Sequence, residues 1–238
     1  MTLQRKRVVV FISGSGSNMM ALVQAARAAD YPAEIVGVIS DKADAGGLAK
    51  ASAEGIPTFA FVRRDYSSKE AHEAAIFETL DTLSPDILCL AGYMRLLSAA
   101  FIQRYEGRIL NIHPSLLPLF PGLHTHQRAL DAGMRIAGCT VHFVNEGMDE
   151  GPSIGQAAVP VLAGDTSDSL AARVLTVEHQ LYPQSLRLVA EGKVRMEGEK
   201  AVSVTQTNRA APREPARQLL SLLGDLESDD FRSNRPEI

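Results

Sequence analysis

The sequence predicts an α/β fold: a mostly parallel, twisted sheet with helices on both faces and an antiparallel addition towards the C-terminus. Three observations carry this. Short β-branched runs alternate with Ala- and Leu-rich stretches of helical composition through the first half of the chain. Several of those runs, VVVFI among them, are apolar throughout, as strands buried on both faces must be. Beyond Gly122 two strand-like runs are separated by only the polar loop EGMDEGP, a spacing that suits an antiparallel pair.

Each element follows in order. Residues 8–12 form the first strand, a Gly/Ser cluster ends it, and residues 18–29 read as a helix because Ala, Met and Leu dominate there. Strands at 34–39, 58–61, 86–90 and 108–112 then alternate with helices at 47–54, 67–83 and 98–105. A helix over 125–132 leads into strands at 138–145 and 153–161. A long helix spans 167–191, with Asp165 or Thr166 as its N-cap, and short strands around Val194 and Val202 complete the domain. Strands that alternate with helices in this way build a Rossmann-like sheet. Residues 1–204 are therefore read as one domain. Residues 205–238, rich in Arg, Pro, Ser and Asp, form a tail in which 216–226 is an amphipathic segment that either docks or stays mobile.

A chain of 238 residues with 45% hydrophobic and 22% charged residues can bury a substantial core. Its formal charge of -4 argues against a nucleic acid partner, which needs a basic surface. Cys89 and Cys139 sit inside apolar runs without CxxC spacing, as buried thiols of a reducing compartment do. The first strand begins too early to leave room for a signal peptide, and no apolar run approaches about 18 residues. No membrane partner and a cytoplasmic location are expected. A homodimer is compatible with the chain, since strands that form an interface share the composition of strands that form a core.

Three motifs can carry chemistry. The loop Ser13-Gly14-Ser15-Gly16-Ser17-Asn18 joins the first strand to its helix. Small residues and free N–H groups at a helix N-terminus suit a phosphate. The same loop also reads as a plain tight turn, or as a dinucleotide site in which Met19 replaces a third glycine and Asp41 serves as the ribose-binding acid. Asn111 and His113 stand two apart on a strand, so they project to one side at its carboxyl end. An amide can donate to a developing oxyanion and an imidazole can move a proton, although a strand-end histidine satisfied by its neighbours has the same spacing. Asp149 lies in the polar loop, where a surface turn is the ordinary role; near an imidazole it would favour the protonated ring. His124, His126 and His142 raise a metal reading, but no HExxH or similar pattern supports it and no metal is expected.

Taken together, the segments VVVFISGSGSN, PDILCLAGYMRLLS, NIHPSLLPLFPGLHTHQRAL, GCTVHFVNEGMDEGPSIGQ and VEHQLYP resemble, in the same order, those of the folate-dependent formyltransferases. The resemblance covers residues 7–193. It implies 10-formyltetrahydrofolate as cosubstrate and glycinamide ribonucleotide as acceptor, with Asn111, His113 and Asp149 as catalytic residues and Asp149 favouring protonated His113. By the same resemblance Gly16, Ser17 and Asn18 hold the ribonucleotide phosphate, and Leu175, Thr176, Val177 and Glu178 contact that substrate further. Folate contacts fall on Lys69, Met94, Arg95, Leu96, Leu97, Asn111, Asn145, Glu146, Gly147, Met148 and Asp149. Lys69 stands where relatives carry Arg, which removes a bidentate donor. His142 matches a supporting pocket histidine, and the resemblance favours a cis Leu117-Pro118 bond.

A formyltetrahydrofolate deformylase shares the Asn, His and Asp, but relatives of that kind carry an N-terminal regulatory domain and need no phosphate loop. A methionyl-tRNA formyltransferase adds a C-terminal tRNA-binding domain, which the acidic tail does not resemble. A dinucleotide-binding regulator is the reading from another class, supported by the glycine loop and Asp41.

Overall fold

A computed structural model describes residues 4–204, so the tail and its 216–226 segment lie outside the described residues. Strands β1 (Lys6–Ile12), β2 (Ala33–Ser40), β3 (Thr58–Ala60), β4 (Ile87–Leu90), β5 (Ile109–His113), β6 (Ile136–Phe143) and β7 (Ser153–Pro160) form one seven-stranded sheet in the order β3-β2-β1-β4-β5-β6-β7. The pairings from β3 across to β5 are parallel, whereas β6 runs antiparallel to β5 and β7 antiparallel to β6. Helices α1 (Ser17–Ala26), α2 (Gly46–Ala53), α3 (Lys69–Leu83), α4 (Ala99–Arg104), α5 (Thr125–Asp131) and α6 (Ser167–Ala190) surround it. The last strands, β8 (Val194–Glu197) and β9 (Lys200–Ser203), pair as a separate hairpin. A 3-10 turn over Arg63–Asp65, not expected from the sequence, links β3 to α3.

The apolar run of β1 shows why the sheet is doubly covered. Val8, Val10 and Ile12 point to a layer containing Met19 and Leu22 of α1 and Tyr182 and Leu186 of α6. Val9 and Phe11 point the other way, to Ile76 and Leu80 of α3 and Phe101 of α4. All five are fully buried, so no polar alternation is tolerated along this strand. Helix α1 stops at Ala26, short of the expected boundary, because the chain must turn to bury Tyr31, whose hydroxyl donates to Pro183 O at 2.7 Å. Cys89 and Cys139 are free and buried, and burial pushes both thiols up to about 12.

Side-chain caps define the starts of α3, α4 and α6. The Ser68 and Ser98 hydroxyls accept from Ala71 N and Phe101 N, both at 3.1 Å. Thr166 closes a reciprocal box with Ser169 at the start of α6, which decides between the two caps the sequence offered. Asp165 instead accepts from Arg173 Nη1 and Nη2 at 2.7 and 2.8 Å. The Leu117-Pro118 bond is cis, and among the described residues no helix is long and apolar enough to cross a membrane.

One buried residue ties α6 to the functional edge of the sheet. The Tyr182 hydroxyl lies 3.0 Å from Leu90 O, at the end of β4, and 3.1 Å from Leu110 O, near the start of β5. Its ring is fully buried, and desolvation raises its hydroxyl well above the usual tyrosine range, so it remains a donor. Tyr182→Phe leaves those carbonyls without it and is expected to cost about 1–2 kcal/mol. Urea unfolding measures this; an unchanged midpoint would mean that the carbonyls are satisfied by other donors.

Candidate active site

In an open parallel sheet the crevice lies beyond the carboxyl ends of the strands, where the strand order reverses. Here the reversal falls between β1 and β4. The segments that follow these strands are the Gly/Ser loop after β1 and residues 91–98 after β4, and the Asn111–His113 end of β5 lies beside them.

The β5–β6 register supplies the first contact. Asn111 pairs with His142 across the ladder, and Asn111 Nδ2 donates to His142 Nε2 at 3.1 Å. His142 Nδ1 in turn donates to Phe143 O at 2.8 Å, so the hydrogen bonds select the Nδ1–H tautomer of a ring only 2% exposed. The Asn111 amide has a second N–H, which His142 does not use. His142 was expected as a supporting residue; the structure puts it in direct contact with Asn111 and 3.7 Å from Asp149 Oδ1.

His113 is nearly as buried, at 6%. Its Nε2 donates to Phe120 O at 3.0 Å, and its Nδ1 lies 3.3 Å from Asp149 Oδ2. Both nitrogens therefore face oxygen acceptors, and only the imidazolium presents a proton to each. The 3.3 Å separation exceeds that of a tight charge-assisted bond, which leaves Nδ1 as the nitrogen able to take up another group. Asp149 reaches this position because its loop doubles back closely on β6. A Cβ at Gly151 would lie 1.7 Å from Phe143 O, so no larger residue fits that return. Asp149 itself has φ 57, a left-handed conformation that Asp tolerates better than most residues, and its Oδ2 accepts from Gly122 N at 2.9 Å. Burial by itself would raise its carboxyl. Hydrogen bonding at the carboxylate, the Gly122 N–H included, and the charge of His113 outweigh that and hold it below the usual carboxylate range.

The residues expected to meet folate form the neighbouring wall. Met94, Arg95, Leu96 and Leu97 border a cleft of about 420 Å³ together with Lys69 and Tyr93. Met94 and Leu96 are 65% and 68% exposed, unusual for apolar side chains and suited to an apolar ring system. The loop is held from beneath: Met94 N donates to Ser13 Oγ at 2.8 Å, Ser13 Oγ to Asp41 Oδ1 at 2.5 Å, and Arg95 Nε to Asp41 Oδ2 at 3.1 Å. Asp41 is thus buried and engaged by side chains, which removes its reading as a ribose-binding acid and with it the main support for a dinucleotide. In the loop after β6, Gly147 N donates to Asn145 Oδ1 at 3.2 Å and Met148 is exposed, while Glu146 makes no side-chain hydrogen bond among the described residues.

At the other end of the crevice, Gly16 starts α1 with φ 70, and a Cβ there would meet Gly47 Cα at 2.9 Å. No side chain caps this helix and no acid stands in its first turn, so the N–H groups near Ser17 and Asn18 are available to an anion. Lys50, which sequence reasoning did not single out, donates from Nζ to Ser15 O at 2.9 Å and brings a cation to the loop. The loop and α6 meet where Asn18 Nδ2 donates to Glu178 Oε2 at 2.6 Å. Burial raises the Glu178 carboxyl despite that bond. Of the other α6 positions, Thr176 donates its hydroxyl to Arg173 O at 2.7 Å, Val177 packs on the apolar cluster of β6 and β7, and Leu175 is half-buried. Among the described residues no three His, Cys, Asp or Glu side chains are arranged to hold a metal ion.

The comparisons with known proteins agree with this geometry. The family described as Formyl transferase matches residues 6–186. Phosphoribosylglycinamide formyltransferase of Escherichia coli is 46% identical over 189 residues, 79% of this chain and 89% of that protein. The crystal structure of phosphoribosylglycinamide formyltransferase from Brucella melitensis shows 71% identity and a TM-score of 0.76, covering 78% of this chain and 96% of that one. The trifunctional purine biosynthetic protein adenosine-3 of Bos taurus is 49% identical over 193 residues, 81% of this chain, but the chain spans only 19% of its length. A match across most of the sequence, on a sheet of the same topology, makes this chain a member of the formyl transferase family.

Proposed function

We propose that this chain transfers the formyl group of 10-formyltetrahydrofolate to the amine of glycinamide ribonucleotide, a step of purine biosynthesis. The observation that supports it best is the presence, along one carboxyl edge of the sheet, of an uncapped helix N-terminus suited to a phosphate and of the joined groups Asn111, His142, Asp149 and His113. A hydrolase of the folate alone has no use for the first. The names of the relatives that cover most of their own length with this chain point the same way.

In this reading the substrate amine attacks the formyl carbon. A C–N bond forms, and the carbonyl electrons move to the formyl oxygen. The second N–H of Asn111 and the Nδ1 proton of His113 stabilise that oxyanion. Collapse of the tetrahedral intermediate breaks the bond to the folate nitrogen, and the proton lost by the amine is the one the leaving nitrogen gains. Asp149, ionised at neutral pH, holds His113 as the imidazolium and relays that proton. His142, fixed by Phe143 O, holds the Asn111 amide in orientation.

His113→Ala or Asp149→Asn is expected to lower kcat by about a hundredfold or more, as loss of one positioned charge or proton donor does. The assay uses both substrates beside a control without ribonucleotide. Near-normal turnover in both variants removes the assignment, and comparable formyl loss in the control points to a deformylase.

The Asp149 carboxyl also links stability to pH. Its pKa is depressed in the folded state, so its contribution is complete above the unfolded carboxylate value of about 3.9 and is lost as pH falls through the lower folded value. The unfolding free energies of the native chain and Asp149→Asn should therefore differ most near neutral pH and converge in acid. A gap that widens on acidification would contradict this ion-pairing role.

A further inference from the structure

The cleft beyond β4 is bordered by three cations, and their partners set them apart. Arg95 Nε lies 3.1 Å from Asp41 Oδ2, on a carboxylate 6% exposed. Lys69 Nζ lies 4.0 Å from Glu73 Oε1, on a carboxylate 9% exposed. Both acids are fixed in place, Asp41 by Ser13 and Glu73 by the Ser98 backbone N–H at 2.9 Å and the Ser98 hydroxyl. Arg63, on the 3-10 turn before α3, borders the same cleft, and among the described residues no carboxylate lies within 4.0 Å of it. Glu70, exposed at the start of α3, feels its charge without pairing with it. Arg63 Nη1 donates to Tyr66 O at 2.9 Å, which orients the guanidinium and leaves its remaining N–H groups to a ligand.

Two of the three cations are thus matched by buried acids and the third is not. An anion entering the cleft gains most at the unmatched one. The geometry of that group adds to its charge: a planar fork meets a carboxylate with two parallel hydrogen bonds, whereas Lys69 offers a point charge already shared with Glu73. We propose that Arg63 recognises the glutamate carboxylate end of the reduced folate, supplying the bidentate contact that a lysine at position 69 lacks. This rests on the proposed function, in which the cosubstrate is a folate and its tail is the anionic end.

The test compares steady-state kinetics of the full chain with 10-formyltetrahydrofolate and with 10-formyltetrahydropteroate, which lacks the glutamate. Arg63→Ala should raise KM for the folate about tenfold, the loss expected of a charged hydrogen-bonded pair, with kcat unchanged and KM for the pteroate unmoved. Arg63→Lys should recover part of the loss, and Lys69→Ala should raise KM by only about threefold, as for a partly screened pair. An equal rise with both cosubstrates would mean that Arg63 merely shapes its turn, and no rise would mean no contact. Either result overturns the assignment and leaves formyl transfer standing. Absence of transfer by the unmodified chain removes the proposed function and this assignment together.

Discussion

The register of the β5–β6 ladder, which sets His142 opposite Asn111, is the constraint on which the rest of the site depends. Side chains alternate along a strand, so a slip of one residue would turn His142 to the other face and leave the Asn111 amide without its acceptor. At β5 the sheet changes from parallel to antiparallel pairing. That change places a residue from late in β6 beside the end of the parallel sheet, where the ligand crevice opens. The loop that follows β6 then delivers Asp149 between the two histidines, 3.3 Å from one and 3.7 Å from the other. A wholly parallel sheet would need a helical crossover at this point, and no short loop could bring the acid back.

Around that centre, buried acids anchor the walls instead of meeting substrate. Asp41 connects the end of β1, through Ser13, to the Met94–Arg95 backbone and guanidinium. Glu73 connects α3 to the N-cap of α4. A buried carboxylate without partners would cost several kcal/mol, so each is surrounded by donors, and each thereby fixes the loop from which the donors come. The cleft between them combines a hydrogen-bonded base with exposed apolar side chains such as Met94 and Leu96, a combination suited to a flat ring system with few polar contacts.

Much of the frame was legible because local chemistry decides it. The run VVVFI had to be buried on both faces, and a cap at Asp165 or Thr166 had to start the last long helix. Asn111 and His113 were legible as a pair because a strand's period of two requires it. Their meeting with Asp149 was not, since nothing in the spacing of the sequence encodes a return that depends on Gly151 passing close to Phe143 O. The family resemblance proposed it; the coordinates give it a distance. Asp41 misled for the opposite reason: an acid after the second strand fits a ribose contact, and only its burial against Ser13 and Arg95 shows it to be a strut. Lys50 and Arg63 lay on exposed-looking segments whose charge carries no local signature.

The two ends of the crevice also differ in how they handle charge. At the α1 end, Asn18 turns its Nδ2 towards Glu178, and its Oδ1 is buried without a partner among the described residues. An acceptor oxygen held in that orientation offers no hydrogen bond to a phosphate oxygen. A phosphate there would be left to the backbone N–H groups of the first turn and to Lys50. Burial raises the Glu178 carboxyl, which lessens the repulsion an incoming dianion would meet from a neighbouring acid. A raised acid beside the anion loop and a depressed one beside His113 are therefore two outcomes of the same competition. Desolvation wins where, among the described residues, one amide is the only hydrogen-bond partner of the carboxyl, and it loses where a backbone N–H and two imidazoles face it.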